Sequence, residues 1–272
     1  MQYGNMTKIA SILRKARSYS AETIEATVIK YIQDKTKVPF SYHGILGKYQ
    51  NKQDKTLLSY FNEQDFPVEI EFLTEFFEAL LESENVIENG IVFTPEYIAD
   101  YIYAQVSDYT GERRNPKVID PGCGCGIFLA SAAIGFHKQY DKTFAEVLSN
   151  SIYGIELDPD NARRCEIVLN LLPLIYGESN EGVSLNIICE DSLKCSWTSV
   201  FGVEKFDYII GNPPYVNTHD MAKETARFLK QTFETTKSGV YNIFYAFIEH
   251  AMQFLDENGI LSYIVQIGRA HV

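Results

Sequence analysis

The sequence of 272 residues lacks several patterns that are typical of membrane, secreted and zinc-binding proteins. No apolar run approaches the roughly eighteen residues that a membrane-spanning helix needs, and the N-terminus lacks a signal-peptide pattern. The five cysteines show no C-x-x-C spacing of the kind that holds zinc. We therefore expect free thiols, no metal site, no membrane association and a cytoplasmic location.

Positive charge is also scarce, since 24 Lys and Arg stand against 36 Asp and Glu for a net charge of −12. Residues 1–60 hold ten basic and four acidic residues, whereas residues 61–90 hold nine acidic residues and no basic one. Arg14, Lys15 and Arg17 are candidate phosphate contacts, although a solvated helix face is the simpler interpretation. Because nucleic-acid binding usually needs a basic surface, such a protein acts on DNA only if another domain or subunit supplies most phosphate contacts.

What the sequence does contain is enough apolar material for a globular α/β core, with 46% hydrophobic and 13% aromatic residues. Apolar residues recur at helical spacing around Ile9, Ile24 and Ile70, and Ser20 is placed to cap the second helix. We therefore predict an N-terminal helical domain over residues 1–90.

A second unit is expected to begin at Ile91, after the break Asn89-Gly90, and it contains a glycine-rich loop. The short apolar run Val118-Ile119-Asp120 leads into Pro121-Gly122-Cys123-Gly124-Cys125-Gly126 and then into a helical sequence. Glycines at such a turn let the backbone approach a ligand at the helix N-terminus. The nicotinamide and P-loop fingerprints are both absent, which weakens dinucleotide and phosphate-loop interpretations. Cys123 and Cys125 are expected to be buried small side chains rather than metal ligands.

Two further apolar runs end in acidic residues, Glu156 after the second predicted strand and Asp191 after the third. Glu156 is placed to accept the hydroxyls of a ribose, whereas Asp158 is expected to cap the following helix. Ligands of open parallel sheets bind outside the carboxyl ends of the strands. Together with Asp120, the acids at three successive strand ends predict one binding site.

The fourth predicted strand, residues 205–211, runs into Asn212-Pro213-Pro214-Tyr215. The two prolines exclude helix and ladder pairing, and we expect them to leave the Asn212 side chain and the Pro213 carbonyl without local partners. An amide oxygen and a backbone oxygen aimed at one point can accept both hydrogens of an –NH2 group. The ring of Tyr215 offers a face on which a planar base can stack. We predict that these four residues are catalytic.

The rest of the chain predicts supporting elements. Residues 216–238 are polar and are expected to order only around DNA. Residues 239–251 predict an aromatic-rich helix, on which His250 is expected to pack rather than to catalyse. Residues 260–265 predict a fifth strand.

Phe93-Thr94-Pro95, the glycine loop, the strand-end acids and Asn212-Pro213-Pro214-Tyr215 follow one another within residues 91–265. In this order they resemble the S-adenosylmethionine-dependent DNA adenine-N6 methyltransferases of restriction-modification systems. The resemblance implies a Rossmann-like, doubly wound, mostly parallel sheet with S-adenosylmethionine as cofactor. It also implies methyl transfer to N6 of an adenine flipped out of double-stranded DNA.

The resemblance further implies a role for each residue at the cofactor site. Thr94 would contact the methionine end, Asp120 would face the amino end and Glu156 would hold the ribose. Asp191 would accept from the adenine amino group of the cofactor, and Gly122, Gly124 and Asn212 would also bind the cofactor. Thr94 can instead cap the helix whose first residue is Pro95, but the functional role is the favoured interpretation.

Two other functions remain open. Asn-Pro-Pro-Tyr also occurs in enzymes that methylate a glutamine side chain on release factors or bases in RNA, and a glutamine amide presents the same –NH2 group. The Phe-Thr-Pro element favours DNA. The other alternative is an inactive modification subunit that binds DNA without turnover.

The resemblance implies that the sheet continues past its fifth strand. We therefore expect the catalytic domain, residues 91–266, to be incomplete at its C-terminal side. Residues 267–272 read like a translated sequencing adapter and are expected to be a non-native tail. A downstream target-recognition domain or subunit and an associated nuclease are the expected partners.

Overall fold

The computed structural model describes residues 2–85, 94–110 and 115–265. Phe93, the predicted domain boundary at residue 90 and the predicted tail, residues 267–272, lie outside the described residues. The helices are α1 (Gln2–Ala16), α2 (Ala21–Thr36), α3 (Lys55–Gln64), α4 (Ile70–Asn85), α5 (Glu96–Thr110), α6 (Ile127–Tyr140), α7 (Phe144–Asn150), α8 (Pro159–Ile175), α9 (Trp197–Phe201), α10 (Lys223–Thr232) and α11 (Phe244–Met252). The strands are β1 (Val118–Asp120), β2 (Ile152–Glu156), β3 (Asn186–Cys189), β4 (Phe206–Gly211) and β5 (Leu255–Tyr263), and two 3-10 helices span Gly44–Tyr49 and Glu234–Thr236.

The five strands form one parallel sheet in the order β3-β2-β1-β4-β5. In register, Ile119 of β1 lies beside Tyr153 of β2 and Ile209 of β4. The strand order reverses at β1, which is the switch point where ligands of doubly wound sheets bind. The predicted Rossmann-like α/β fold is confirmed.

Helices cover both faces of this sheet because its central strands are apolar on both sides. Val118 and Tyr208 pack into the larger core, together with α6, α8 and the N-terminal helices. Ile119 and Ile209 point to the opposite face and pack with Trp197 of α9. The sheet is therefore buried between two helical layers.

The N-terminal helices share the larger core with the sheet. Ser20 caps α2 by accepting from the Thr23 backbone N–H at 3.2 Å, as predicted. The helix α3 lies within the predicted helical domain, although the sequence pattern did not single it out. Glu25 of α2 is fully buried against α8, where Arg163 and Arg164 both donate to its carboxylate.

Residues 216–238 contain a helix, so the prediction that they order only around DNA is wrong. Leu229 of α10 and Phe233 are buried in a small core with Tyr241 and Phe247. Packing of these few apolar side chains orders the segment although most of its residues are polar. Within the described ranges, every helix is too short or too polar to span a bilayer.

Candidate active site

A cavity of about 700 Å³ lies at the carboxyl ends of the strands. All of the predicted site residues except Asp120 line it, namely Thr94, Gly122, Gly124, Glu156, Asp191, Asn212, Pro213, Pro214 and Tyr215. The strand order places the loops after β1, β2, β3 and β4 side by side, so positions distant in sequence share one wall. Whether each of them binds a ligand remains a proposal.

The glycine loop is held to the neighbouring strand end by Glu156. The backbone N–H of Gly124 donates to Glu156 Oε2 at 2.8 Å, and the Asp158 N–H donates to Oε1 at 2.8 Å. Gly124 and Gly126 have φ angles of 52° and 94°, a region that favours glycine. Burial raises the pKa of the Glu156 carboxyl. Each carboxylate oxygen has two lone pairs, so Glu156 retains capacity to accept from ligand hydroxyls.

Asp158 caps α8, as predicted. Its Oδ1 accepts from the backbone N–H groups of Asp160 and Asn161, both at 2.9 Å. Asp191, at the next strand end, accepts from the Leu193 N–H at 3.1 Å and pairs with Lys194 at 2.7 Å. Its carboxylate therefore keeps a defined orientation on the cavity wall.

Asp120 lies beneath the cavity rather than in its wall. The residue is 1% exposed, and its Oδ1 accepts from the Gly122 N–H at 3.0 Å. A Cβ on Gly211 would come within 2.5 Å of Asp120 Oδ1, so β4 closes over the carboxyl group. Burial raises the pKa of Asp120 to about 8. The backbone of its own loop and of β4 surrounds the carboxyl group, and Oδ2 has no hydrogen-bond partner among the described residues, so the role of Asp120 towards the cofactor stays a prediction.

The Asn212 side chain has partners at both ends, contrary to the prediction. Its Nδ2 donates to the Thr94 hydroxyl at 3.1 Å, and its Oδ1 accepts from the Tyr215 hydroxyl. That hydroxyl also lies 2.9 Å from the Ile264 carbonyl oxygen, so two acceptors share one proton. Among the described residues no donor reaches the Pro213 carbonyl oxygen. The prolines stiffen the turn as expected, but tertiary contacts occupy the amide.

Thr94 is not the cap of α5. The Pro95 carbonyl accepts from the backbone N–H groups of Ile98 and Ala99 at 3.0 and 3.4 Å, so Pro95 holds the cap position and the helix begins at Glu96. The Thr94 hydroxyl points instead to Asn212. The capping interpretation is therefore wrong.

Apolar side chains complete the cavity beside Tyr215, whose ring meets that of Phe244 edge-on at 6.2 Å between centroids. Further apolar lining comes from Leu157, Leu193, Phe228, Leu229, Ile243 and Phe247. Phe247 lies on the predicted aromatic-rich helix, whereas the sequence did not predict α10, which supplies Phe228 and Leu229. It also missed Glu78 of α4, which no local pattern distinguishes from the other glutamates of that helix.

The remaining predictions concern cysteine and histidine. Cys123 and Cys125 are buried free thiols, as expected. In the part of the chain that the structure describes, no cluster of His, Cys, Asp and Glu is arranged to hold a metal ion. His250 packs edge-on against Trp197 and Phe233, which agrees with a packing role.

The lining of the cavity is acidic. Its carboxylates are Glu78, Glu156, Asp158, Asp191 and Asp220. Lys194 also lines the cavity, but its charge is paired with Asp191. Such a lining suits a ligand that carries positive charge together with hydroxyl and amino donors. S-adenosylmethionine has a sulfonium, an ammonium, ribose hydroxyls and an adenine amine, so the residues present fit this cofactor.

Residues 150–268 match the family described as Eco57I restriction-modification methylase. The chain is 28% identical over 235 residues to the type II restriction enzyme and methyltransferase RM.Eco57I of Escherichia coli, covering 67% of this chain and 23% of the relative. It is 28% identical over 191 residues to the type II methyltransferase M.BstVI of Geobacillus stearothermophilus, covering 65% of this chain and 33% of the relative. The chain thus spans a third or less of either protein.

The fold is similar to that of a Listeria monocytogenes protein assigned to the class I S-adenosylmethionine-dependent methyltransferases, with a TM-score of 0.57 and 15% identity. The match covers 97% of this chain and 72% of that protein. The sequence matches confirm the resemblance to restriction-modification methyltransferases, and the structural match supports the fold alone.

Proposed function

We propose that this chain, a relative of restriction-modification methyltransferases, transfers a methyl group from S-adenosylmethionine to N6 of an adenine in DNA. One observation carries the proposal: the loop Asn212-Pro213-Pro214-Tyr215 shares a cavity with the acidic strand ends Glu156 and Asp191. A cofactor held by the acids and an amine held by the loop would therefore meet in one enclosed space.

The target amine would be held by two oxygens. The N6 lone pair of adenine is delocalised into the ring, which makes the nitrogen a poor nucleophile. Accepting its hydrogens at Asn212 Oδ1 and at the Pro213 carbonyl would favour a pyramidal nitrogen with its lone pair directed at the methyl group. The Asn212 amide oxygen has two lone pairs, so it can accept from adenine and from the Tyr215 hydroxyl at the same time. Alternatively, the Tyr215 hydroxyl would donate only to the Ile264 carbonyl and leave the amide oxygen to adenine.

The cofactor would be held by the other half of the cavity, where it supplies the electrophilic methyl group. Glu156 would accept from the ribose hydroxyls and Asp191 from the adenine amino group of the cofactor. The Thr94 hydroxyl would lie at the methionine end, and Gly122 and Gly124 would allow close approach of the backbone. Asp120 would act from beneath by fixing the loop.

Adenine inside a duplex is out of reach, so the base must leave the stack. The ring of Tyr215 would replace its lost stacking, and the apolar side chains of α10 and α11 would exclude water from the transfer. With a net charge of −12, most phosphate contacts would come from a target-recognition domain or subunit, and a nuclease would complete the restriction-modification system.

The test uses tritiated S-adenosylmethionine, unmethylated duplex DNA and the variant Asn212→Ala. A matched control is Asn150→Ala, since Asn150 is an exposed asparagine at the end of α7. We expect label recovered as N6-methyladenine with the parent protein and the control, and lost with Asn212→Ala. Label found in protein glutamine or in RNA would show that the substrate is protein or RNA instead of DNA. The assignment of the fold would still hold.

A further inference from the structure

The helix α10 carries a basic stripe on its outer face. Lys223, Arg227 and Lys230 are spaced by four and three residues, which places them on one side of the helix. All three are exposed. Seven residues of helix rise about 10 Å, so the stripe has the length of a short stretch of nucleic-acid backbone.

These charges differ from the other lysines nearby. Lys194 pairs with Asp191 and Lys237 pairs with Glu234. Within the described part of the chain, by contrast, no carboxylate lies within ion-pair distance of the basic groups of Lys223, Arg227 or Lys230. Their charge is available to an external anion.

The opposite face of the same helix forms a wall of the candidate active site. The residues of α10 and its N-cap that line the cavity are Ala222, Thr225, Phe228 and Leu229. Leu229 is fully buried, which anchors α10 to the small core beside the cavity. Thus one helix joins the catalytic space on its inner side to a positive surface on its outer side.

We propose that the outer face of α10 binds the sugar-phosphate backbone of DNA beside the extruded adenine; this inference rests on the proposed function. The cavity itself is lined by carboxylates, which repel phosphates, so the backbone must pass where the charge is positive. Lys223, Arg227 and Lys230 provide that charge at the cavity wall. Glu224 lies beside the stripe and is exposed, so three cations act against one acid on α10.

A second basic helix serves as the control. Arg14 and Lys15 of α1 and Arg17, which directly follows it, are exposed, and none of them lines the cavity. The variant R14Q/K15Q/R17Q removes the same number of charges as K223Q/R227Q/K230Q. Both triple variants therefore change the net charge equally, and they differ only in where the charge is lost.

The test is a salt titration of binding by fluorescence anisotropy, with a labelled duplex that contains an unpaired adenine, since such a base costs least to extrude. Each phosphate contact contributes about 0.9 to the slope of log K against log salt concentration. We expect K223Q/R227Q/K230Q to reduce the magnitude of this slope by about 2 to 3 and to weaken binding at least about tenfold at low salt. The slope of R14Q/K15Q/R17Q should stay that of the parent.

Two results would overturn the inference, and they separate it from the proposed function. If the parent methylates adenine in DNA and K223Q/R227Q/K230Q keeps the parent slope, the stripe is a solvated face and the proposed function stands. If the parent methylates RNA or a glutamine and does not bind the duplex, both proposals fall. Circular dichroism of the two triple variants checks that α10 and α1 remain folded.

Discussion

The side-chain amide of Asn212 donates a hydrogen bond to the hydroxyl of Thr94 at 3.1 Å, although 118 positions separate the two residues. Thr94 precedes α5 and Asn212 follows β4, so this bond joins the segment before α5 to the proposed catalytic loop. With Tyr215 bound to the amide oxygen, the Asn212 side chain is held at both ends. Its orientation is therefore set before a substrate arrives, which is what a positioned acceptor requires.

Replacing Thr94 by valine removes the hydroxyl and keeps the branched shape. A neutral hydrogen bond contributes about 1 kcal/mol, so we expect a five- to tenfold slower methyl transfer, roughly, through a less ordered Asn212. Single-turnover rates at saturating S-adenosylmethionine measure this. Thr232→Val, at an exposed position on α10, is the control. An unchanged rate for Thr94→Val would show that Asn212 is oriented by other contacts.

Two substitutions at Tyr215 separate its ring from its hydroxyl. Tyr215→Phe keeps the aromatic face and frees Asn212 Oδ1, so the transfer rate should stay within a few-fold of the parent. Tyr215→Ala removes a stacking surface worth about 1–3 kcal/mol per base and should weaken target binding about ten- to hundredfold. Steady-state kinetics with DNA as the varied substrate compare them. An equal loss of target binding in both variants would show that the Tyr215 hydroxyl, and not its ring, is responsible for binding the base.

Glu156→Gln tests the cofactor half of the cavity. A hydrogen bond to a charged acceptor contributes about 1.5–3 kcal/mol, so loss of the carboxylate should weaken S-adenosylmethionine binding by roughly ten- to hundredfold. Isothermal titration calorimetry measures the affinity, and Glu190→Gln, at an exposed position next to the site, is the control. Loss of the Glu156 contacts to Gly124 and Asp158 would lower the melting temperature of the cofactor-free variant. Thermal unfolding without cofactor therefore distinguishes this structural effect from a loss of cofactor binding. An affinity equal to that of the control would show that Glu156 does not bind the cofactor.

Asp120 makes stability depend on pH. Its pKa is about 8 in the folded protein and about 3.9 in an unfolded chain, so the folded state retains a proton between these values. The stability that this retained proton contributes to the folded state is fully present below about pH 4 and is lost as pH rises towards about 8. The unfolding free energy of the parent should therefore fall relative to that of Asp120→Asn, which does not titrate at this position, as pH rises over this range; urea denaturation at several pH values measures it. A difference that stays constant with pH would contradict a buried, protonated Asp120.

Glu25 holds the N-terminal helices against α8. Its buried carboxylate accepts from Arg163 Nη2 at 2.9 Å and from Arg164 Nε at 3.1 Å. Glu25→Gln leaves the buried Arg164 without a counter-charge and Arg163 with Asp160 alone, and should lower the unfolding free energy by about 3–5 kcal/mol. Chemical denaturation measures this, with the exposed Glu22→Gln as a control that should change little. A loss no larger than the control's would mean that water replaces the carboxylate.

Much of the site followed from local patterns. Apolar runs that end in Glu156 and Asp191 predict strands with acids at their carboxyl ends, and a parallel sheet brings such ends to one edge. The adjoining prolines predict a stiff turn at Pro213 from their covalent geometry alone. The N-cap of Asp158 was also predictable, because its acceptor and donors lie within three residues of each other.

The amino-acid sequence by itself therefore determined four of the strands, the strand-end acids and the rigid proline turn, because each depends on neighbours in the chain. The fifth strand was predicted over residues 260–265, whereas β5 begins at Leu255 by pairing with β4. Only the tertiary structure decided that Asp120 is buried, since Gly211 of another strand covers it. It likewise decided that Asn212 bonds to Thr94 and that α10 forms a wall of the cavity. These outcomes depend on contacts between residues far apart in sequence, which local periodicity and spacing do not encode.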